Sequence, residues 1–274
     1  MNNDTNPGAT LRALHQPGQP FILANAWDVG SAKMLASLGA KAIGTSSAAH
    51  AFTIGRSDMG NVTRDEALAH AELLVAATDL PVSGDFENGF GHRPEDVAET
   101  VRMAADAGLG GISIEDTSLP SAEPYEPSLA TERIEAAVAA ARSLPDDFVL
   151  LARADGVMNR TYDIDEGIAR LQAFERVGAD AVYLPLPPNM DELRRVCSSV
   201  GVPVNALAAG SYTKVSFDEF AAAGVARISL GSALARVTHK AINDAATAMF
   251  QHGDFSPLGD GISGATIDAM LLGE

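Results

Sequence analysis

From Phe21 onward the chain alternates short apolar runs with longer amphipathic stretches, and no shift of composition marks a linker between them. The apolar runs predict strands at Phe21–Trp27, Ala42–Ser46, Val82–Asp85, Gly111–Glu115, Val149–Ala154, Ala181–Leu184, Val204–Leu207 and Ala226–Leu230. The amphipathic stretches predict helices at Ser31–Leu38, Arg64–Ala77, Pro94–Ala107, Thr131–Ser143, Asp165–Val177, Asp191–Val200, Phe217–Ala223 and Ser232–Met249, one behind each strand. Gly39, Gly108, Gly178 and Gly224 follow helices directly, where glycine supplies the left-handed residue that ends a helix. Thr63, Asp165 and Ser216 read as N-caps. Strands this apolar are covered on both faces, and one βα unit after another predicts a single closed (β/α)8 TIM barrel over about residues 21–250. A doubly wound sheet would carry a glycine-rich first turn, which is missing. Residues 251–274 form a tail whose apolar stretch Thr266–Leu272 predicts a further helix, packed on its own barrel or exchanged with a neighbouring subunit. The whole chain, residues 1–274, reads as one domain.

Composition narrows the partners. Asp and Glu number 36 against 19 Lys and Arg, a formal net charge of −17, which repels nucleic-acid phosphates and anionic membranes and excludes both as partners. An anionic substrate must therefore meet a locally cationic site, made by a metal, an arginine or both. The one cysteine, Cys197, allows no intrachain disulfide, and the N-terminal residues hold no apolar run resembling a signal peptide, so the expected compartment is the cytoplasm. No apolar stretch approaches the roughly 18 residues of a membrane-spanning helix.

In a barrel of this kind the chemistry sits where strands end. Those positions hold Asn25-Ala26-Trp27-Asp28, Thr45-Ser46-Ser47, Asp85-Phe86-Glu87, Glu115-Asp116, Arg153-Ala154-Asp155 and, in the seventh strand, Asn205. Asp85, Glu87 and Glu115 are hard oxygen donors suited to magnesium; the other reading makes them helix caps or partners of Arg93 and Arg153. Arg153 is placed to grip a substrate carboxylate bidentately, or to pair with one of these acids. Ser46 and Ser47 either donate to a bound anion or simply turn the chain. Gly89 and Gly91 read as a loop hinge, with His92 beside it.

At these residues the chain resembles the isocitrate lyase and phosphoenolpyruvate mutase superfamily, from Phe21 to about Phe250. The motifs are Asn25–Asp28, Gly44–Ser47, Asp58 ahead of Thr63–Glu66, Asp85–Gly91, Gly111–Asp116 and Ala152-Arg153. The resemblance implies a barrel that binds magnesium, with manganese as a substitute, beside an enolate or 2-oxo acid. It makes Asp85 the principal ligand, with Glu87 and Glu115 holding metal-bound waters. It places Asp58 near the reacting centre, with Arg153 and Glu115 as its catalytic companions. The substrate side is Trp27, Ser46, Ser47, Asp85, Arg153 and Asn205. A homo-oligomer, dimer or tetramer, is implied too.

One segment departs from the family pattern. Lyases of the family carry Lys-x-Cys-Gly-His in the loop after the fourth strand, whereas Thr117–Pro127 has no cysteine, lysine or histidine. This argues against ordinary isocitrate or methylisocitrate lysis and against the mutase reaction. Glu123, Tyr125 and Glu126 are the loop groups left to do acid–base work. A Schiff-base aldolase is set aside, because Lys33, Lys41, Lys214 and Lys240 all lie outside the strands; Lys214, in the loop after the seventh strand, is the one whose place has to be checked. The expected function is a magnesium-dependent lyase acting through an enolate on a small 2-oxo acid or a 2-hydroxy di- or tricarboxylate, by C–C cleavage or oxaloacetate-type decarboxylation. The alternatives are a phosphonopyruvate-type P–C enzyme and a protein that binds a 2-oxo acid without turning it over.

Overall fold

The computed structural model of the protein describes residues 6–273. Every apolar run forms a strand: β1 (Phe21–Asn25), β2 (Ala42–Gly44), β3 (Val82–Asp85), β4 (Gly111–Glu115), β5 (Val149–Arg153), β6 (Ala181–Tyr183), β7 (Val204–Leu207) and β8 (Arg227–Ser229). They pair in chain order, all parallel, and β8 closes on β1 with Phe21 opposite Arg227 and Leu23 opposite Ser229. Several strands stop one or two residues short of the predicted ends. Trp27, Ser46 and Ala154 lie in the turns that follow, because ladder pairing ends where the chain bends over the barrel mouth.

The helices are α1 (Pro7–Leu14), α2 (Val29–Ser37), α3 (Ser47–Thr53), α4 (Arg64–Val75), α5 (Pro94–Asp106), α6 (Pro127–Arg142), α7 (Gly156–Asn159), α8 (Ile164–Arg176), α9 (Met190–Ser199), α10 (Phe217–Ala222), α11 (Ala233–His252) and α12 (Gly264–Leu272). Outward strand residues such as Ile43, Val82, Ile112, Ile114 and Leu150 pack under them into the main core. Thr63 and Ser216 cap α4 and α10 as expected, each reciprocated by the glutamate three residues on. The cap of α8 is Asp163 rather than Asp165: its carboxylate accepts from the Glu166 N–H, and Asp165 lies inside the first turn. Sequence reading missed α1, α3 and α7, which are too short to show an apolar period.

Helix α1 seals the bottom of the barrel. Asn6 caps it, Pro7 begins it, and Leu11 packs with Phe21, Leu23, Ala42 and Val149 in a separate cluster under the strands. Arg12 holds it from outside, 2.6 Å from both Asp147 and Asp180. His15 follows, edge-on to Phe21 with ring centroids 5.1 Å apart, and its Nδ1–H donates to the Leu11 carbonyl at 2.8 Å. At the other terminus α12 lies against α2 of the same chain, while α11 leaves Val237, Ile242 and Phe250 exposed. No helix among the described residues is long and apolar enough to cross a membrane.

Burial, and then the charge of Arg227, lowers the His15 pKa from 6.5 to about 4. Between those values the unfolded chain binds a proton that the folded one refuses. His15 therefore contributes stability that is complete above pH 6.5 and lost as pH falls toward 4. Such a shift corresponds to about 3 kcal/mol at most. Urea unfolding of wild type and His15→Leu at pH 7 and pH 4.5 should show the variant losing about 2 kcal/mol less across that interval. Equal losses would place the titrating group elsewhere.

Candidate functional site

At the C-terminal ends of the strands Asp85 is the best-fixed group. Its N–H donates to Thr45 Oγ1 at 2.7 Å, and its Oδ2 accepts from both the N–H and the hydroxyl of Ser47 at 3.0 Å. Its Oδ1 accepts from Arg153 at 2.8 Å. Arg153 is ringed by carboxylates: Nε and Nη2 reach Asp155 at 3.1 and 2.6 Å, and Nη2 also lies 3.1 Å from Glu115, its register partner across β4 and β5. The guanidinium stands 5.4 Å from the Tyr183 ring centroid. Burial opposes its charge, yet Asp155, Glu115 and Asp85 together hold its pKa well above the ordinary range.

The acids behind Asp85 are squeezed in the opposite direction. Glu87 adopts a left-handed backbone, φ 47°, fixed because its carbonyl accepts from Glu115 N–H at 2.9 Å and its carboxylate from Gly60 N–H at 3.1 Å. Burial, reinforced by Asp85 and Asp58, pushes its pKa up to about 7. Glu115 and Asp155 are raised for the same first reason, and so is Asp58. Asp116 is also raised, to about 6, by burial and then by Asp155. It stands one step back, accepting from Asp155 N–H at 2.8 Å, Tyr162 hydroxyl at 2.7 Å and Arg170 at 3.1 Å. Asn25 ties the rim together, donating to the Thr45 carbonyl at 2.6 Å and accepting from Leu230 and Gly231 N–H at 2.7 and 3.0 Å.

A cavity of about 170 Å³ opens among these groups, walled by Ser46, Ser47, Asp58, Asp85 and Arg153. Its lower wall is Ser83, Ser113, Tyr183 and Arg227, which sequence reading did not single out. The signal was present for Arg227, a charge at an inward position of an otherwise apolar strand. Glu87 and Glu115 stand behind Asp85 rather than on this cavity, and Ser46 also caps α3. Trp27 is not part of it. β1 ends before Trp27, whose carbonyl accepts from His70 Nε2 at 2.9 Å, and the residue lines a separate cavity with Asp28, His50 and His70. Asn205 is off the cavity too, buried one layer lower with its Nδ2 donating to Ser229 at 2.9 Å.

The loop after β4 forms a small hairpin, Thr117–Ser118 against Glu123–Pro124. Glu123 and Glu126 face solvent. The Tyr125 hydroxyl is turned to His92 Nδ1 at 2.8 Å and Asn88 at 3.1 Å, with Arg133 stacked 4.2 Å from its ring, so it braces the Asn88–His92 turn. Cys197 is packed beside Gly224 with its thiol pushed up to about 11 by burial, and Lys214 is exposed.

Among the described residues no three His, Cys, Asp or Glu side chains converge closely enough to hold a metal directly. The donor set nevertheless fits a hard divalent cation that keeps several waters: Asp85 is within direct reach of the cavity, and Glu87 and Glu115 are buried acids that Arg153 alone does not neutralise.

The profile of the phosphoenolpyruvate phosphomutase family matches residues 11–250. A crystal structure of a Burkholderia cenocepacia protein classed only as a lyase or mutase superposes with a TM-score of 0.91 at 45% identity, covering 95% of this chain and 94% of that one. The chain is 30% identical to the 2,3-dimethylmalate lyase of Eubacterium barkeri over 71% of its own length and 68% of the other. It is 32% identical to an oxaloacetate decarboxylase of Paraburkholderia xenovorans over 71% of its length and 66% of the other. On its barrel, its strand-end acids and this profile match, the chain belongs to the phosphoenolpyruvate phosphomutase family, within the superfamily of isocitrate lyases and related lyases and mutases.

Proposed function

We propose that the protein is a magnesium-dependent lyase that removes carbon dioxide from a small 2-oxo dicarboxylate of the oxaloacetate type. The cavity carries this reading. It is small, about 170 Å³, holds a carboxylate-ringed arginine, and receives no acid or base from the loop after β4. Cleavage of a 2-hydroxy acid needs a base for the hydroxyl proton; decarboxylation does not. Kinship to an oxaloacetate decarboxylase is consistent with this branch, and kinship to a 2,3-dimethylmalate lyase leaves the choice to the cavity.

In this reaction the C3–C4 bond breaks, its electron pair moves toward the 2-oxo oxygen as CO2 departs, and a proton added at C3 gives pyruvate. Bound magnesium, or manganese, supplies positive charge for the oxygen that becomes negative. Asp85 would hold it, with Glu87 and Glu115 binding its waters. Ser47 fixes the Asp85 carboxylate, and Arg153 keeps Asp85, Glu115 and Asp155 from repelling one another. Asp58, on the cavity wall, is placed to deliver the proton to C3.

Purified protein with Mg²⁺ should release pyruvate from oxaloacetate and leave isocitrate, 2-methylisocitrate, dimethylmalate and phosphonopyruvate unchanged. Chelation by EDTA and Asp85→Ala should each abolish turnover. Product from another member of the panel would move the enzyme to that branch, and magnesium-dependent binding without product would make it a binding protein. Asp58→Asn should lower kcat by about 100-fold or more, the usual contribution of a positioned proton donor. Tyr125→Phe should stay within about twofold of wild type, since its hydroxyl only braces the loop. A Tyr125→Phe enzyme as impaired as Asp58→Asn would return the proton transfer to the loop.

A further inference from the structure

Glu87 reaches the site from a turn that has to be held against its own preferences. Glu87 and Phe90 are left-handed, at φ 47° and 57°, with Gly89 between them at 81°. Only glycine adopts that region freely, so the other two stay there because their surroundings fix them. The turn is buried from Phe86 to Gly89, and its carbonyls need partners from the protein. Phe86 O accepts from Gly89 N–H at 2.7 Å, Glu87 O from Glu115 N–H at 2.9 Å, and Gly89 O from the Thr100 hydroxyl at 2.8 Å. The carbonyls of Asn88 and Gly91 are both taken by one side chain, Arg133 of α6. Its Nη2 donates to Asn88 O, and its Nη1 donates to Gly91 O at 2.7 Å.

Arg133 is 1% exposed and is not part of the substrate cavity. Among the described residues it forms no ion pair; Asp96, the acid that bears on its charge, is occupied by Arg93 at 2.8 Å. A buried cation without a paired acid is costly, and an apolar side chain would fill the same space with less desolvation. What an apolar side chain lacks is the planar fork, which gives two carbonyls a charged donor at once. We infer that Arg133 is a positioning residue for the metal site: by gripping Asn88 and Gly91 it fixes the turn that presents the Glu87 carboxylate to the metal's waters. This rests on the reading of Glu87 as a residue that binds those waters. The Tyr125 hydroxyl holds the Asn88 and His92 side chains of the same turn, while Arg133 holds its backbone. The backbone grip is what keeps Glu87 in place when the Tyr125 hydroxyl is removed.

Calorimetric titration of the full-length protein with Mg²⁺ alone, in a double-mutant cycle of Arg133→Met and Glu87→Gln, reads this role. Glu87→Gln should weaken Mg²⁺ by about 10–100-fold, the usual effect of removing a group that orients a metal's ligands. Arg133→Met should weaken it by about 10-fold, and by no more than Glu87→Gln does. In the Glu87→Gln background Arg133→Met should change the affinity by less than about twofold, because the group it positions is already gone. Arg133→Lys should fall between wild type and Arg133→Met, since a point charge replaces the fork. Wild-type Mg²⁺ affinity in Arg133→Met, even with a lowered melting temperature, makes Arg133 a packing residue and overturns the inference. Losses that add fully in the double variant overturn it as well. Should Arg133→Met not fold, Arg133→Lys decides: weakened Mg²⁺ supports the inference, and wild-type affinity defeats it. A Glu87→Gln protein that binds Mg²⁺ like wild type would sink the metal reading of Glu87, and this inference with it. A weakened Glu87→Gln beside an unaffected Arg133→Met would sink this inference alone.

Discussion

The structure depends on keeping several carboxylates apart in a space that water barely reaches. Asp85, Glu115 and Asp155 contact one guanidinium at the barrel mouth, with Glu87 and Asp58 close behind. Removing one member of a buried ion pair typically costs about 3–5 kcal/mol, so Arg153 is fixed in identity by its neighbours. The surrounding architecture serves the same constraint. Asn25 binds the rim of β8 to β1 and β2, Asp116 anchors the Asp155 backbone, and the strained Glu87 turn is held at both ends. A closed barrel suits such a cluster because every strand end is fixed by two neighbours.

Much of this was legible in the sequence, for identifiable reasons. Short apolar runs alternate with amphipathic stretches, several of them closed by a glycine, so barrel and strand order followed directly. Asp85, Ser47 and Arg153 come together because strand-end position determines which residues meet, whereas Asp58 reaches the cavity from the segment between α3 and α4 and was legible only through the resemblance. Shorter-range details were lost. The run Asp163-Ile164-Asp165-Glu166 offers two acids as caps, and only the three-residue spacing to Glu166 selects Asp163. Trp27 was misplaced because a continuous apolar run hides where ladder pairing stops.

The loop after β4 is a part of the barrel mouth that the strands do not fix. Thr117–Pro127 carries no cysteine, lysine or histidine, and its tyrosine is turned into the Asn88–His92 brace. The strand-end acids and the fold are untouched by that absence, consistent with 45% identity and a TM-score of 0.91 to a lyase or mutase. Kinship therefore fixes the frame more firmly than the reaction.

Charge is also what distinguishes the two halves of the cavity. A protein of net charge −17 repels an anionic substrate at a distance, so attraction has to arise inside the site itself. At the rim, Arg153 is matched or exceeded by its own carboxylates, an arrangement that favours a cation. On the lower wall, Arg227 meets only hydroxyls and one amide-bearing strand, an arrangement that favours an anion. The cavity is thus polarised, with crowded carboxylates at the rim and a guanidinium in its lower wall. Because both charges are buried, this polarity is little screened by salt.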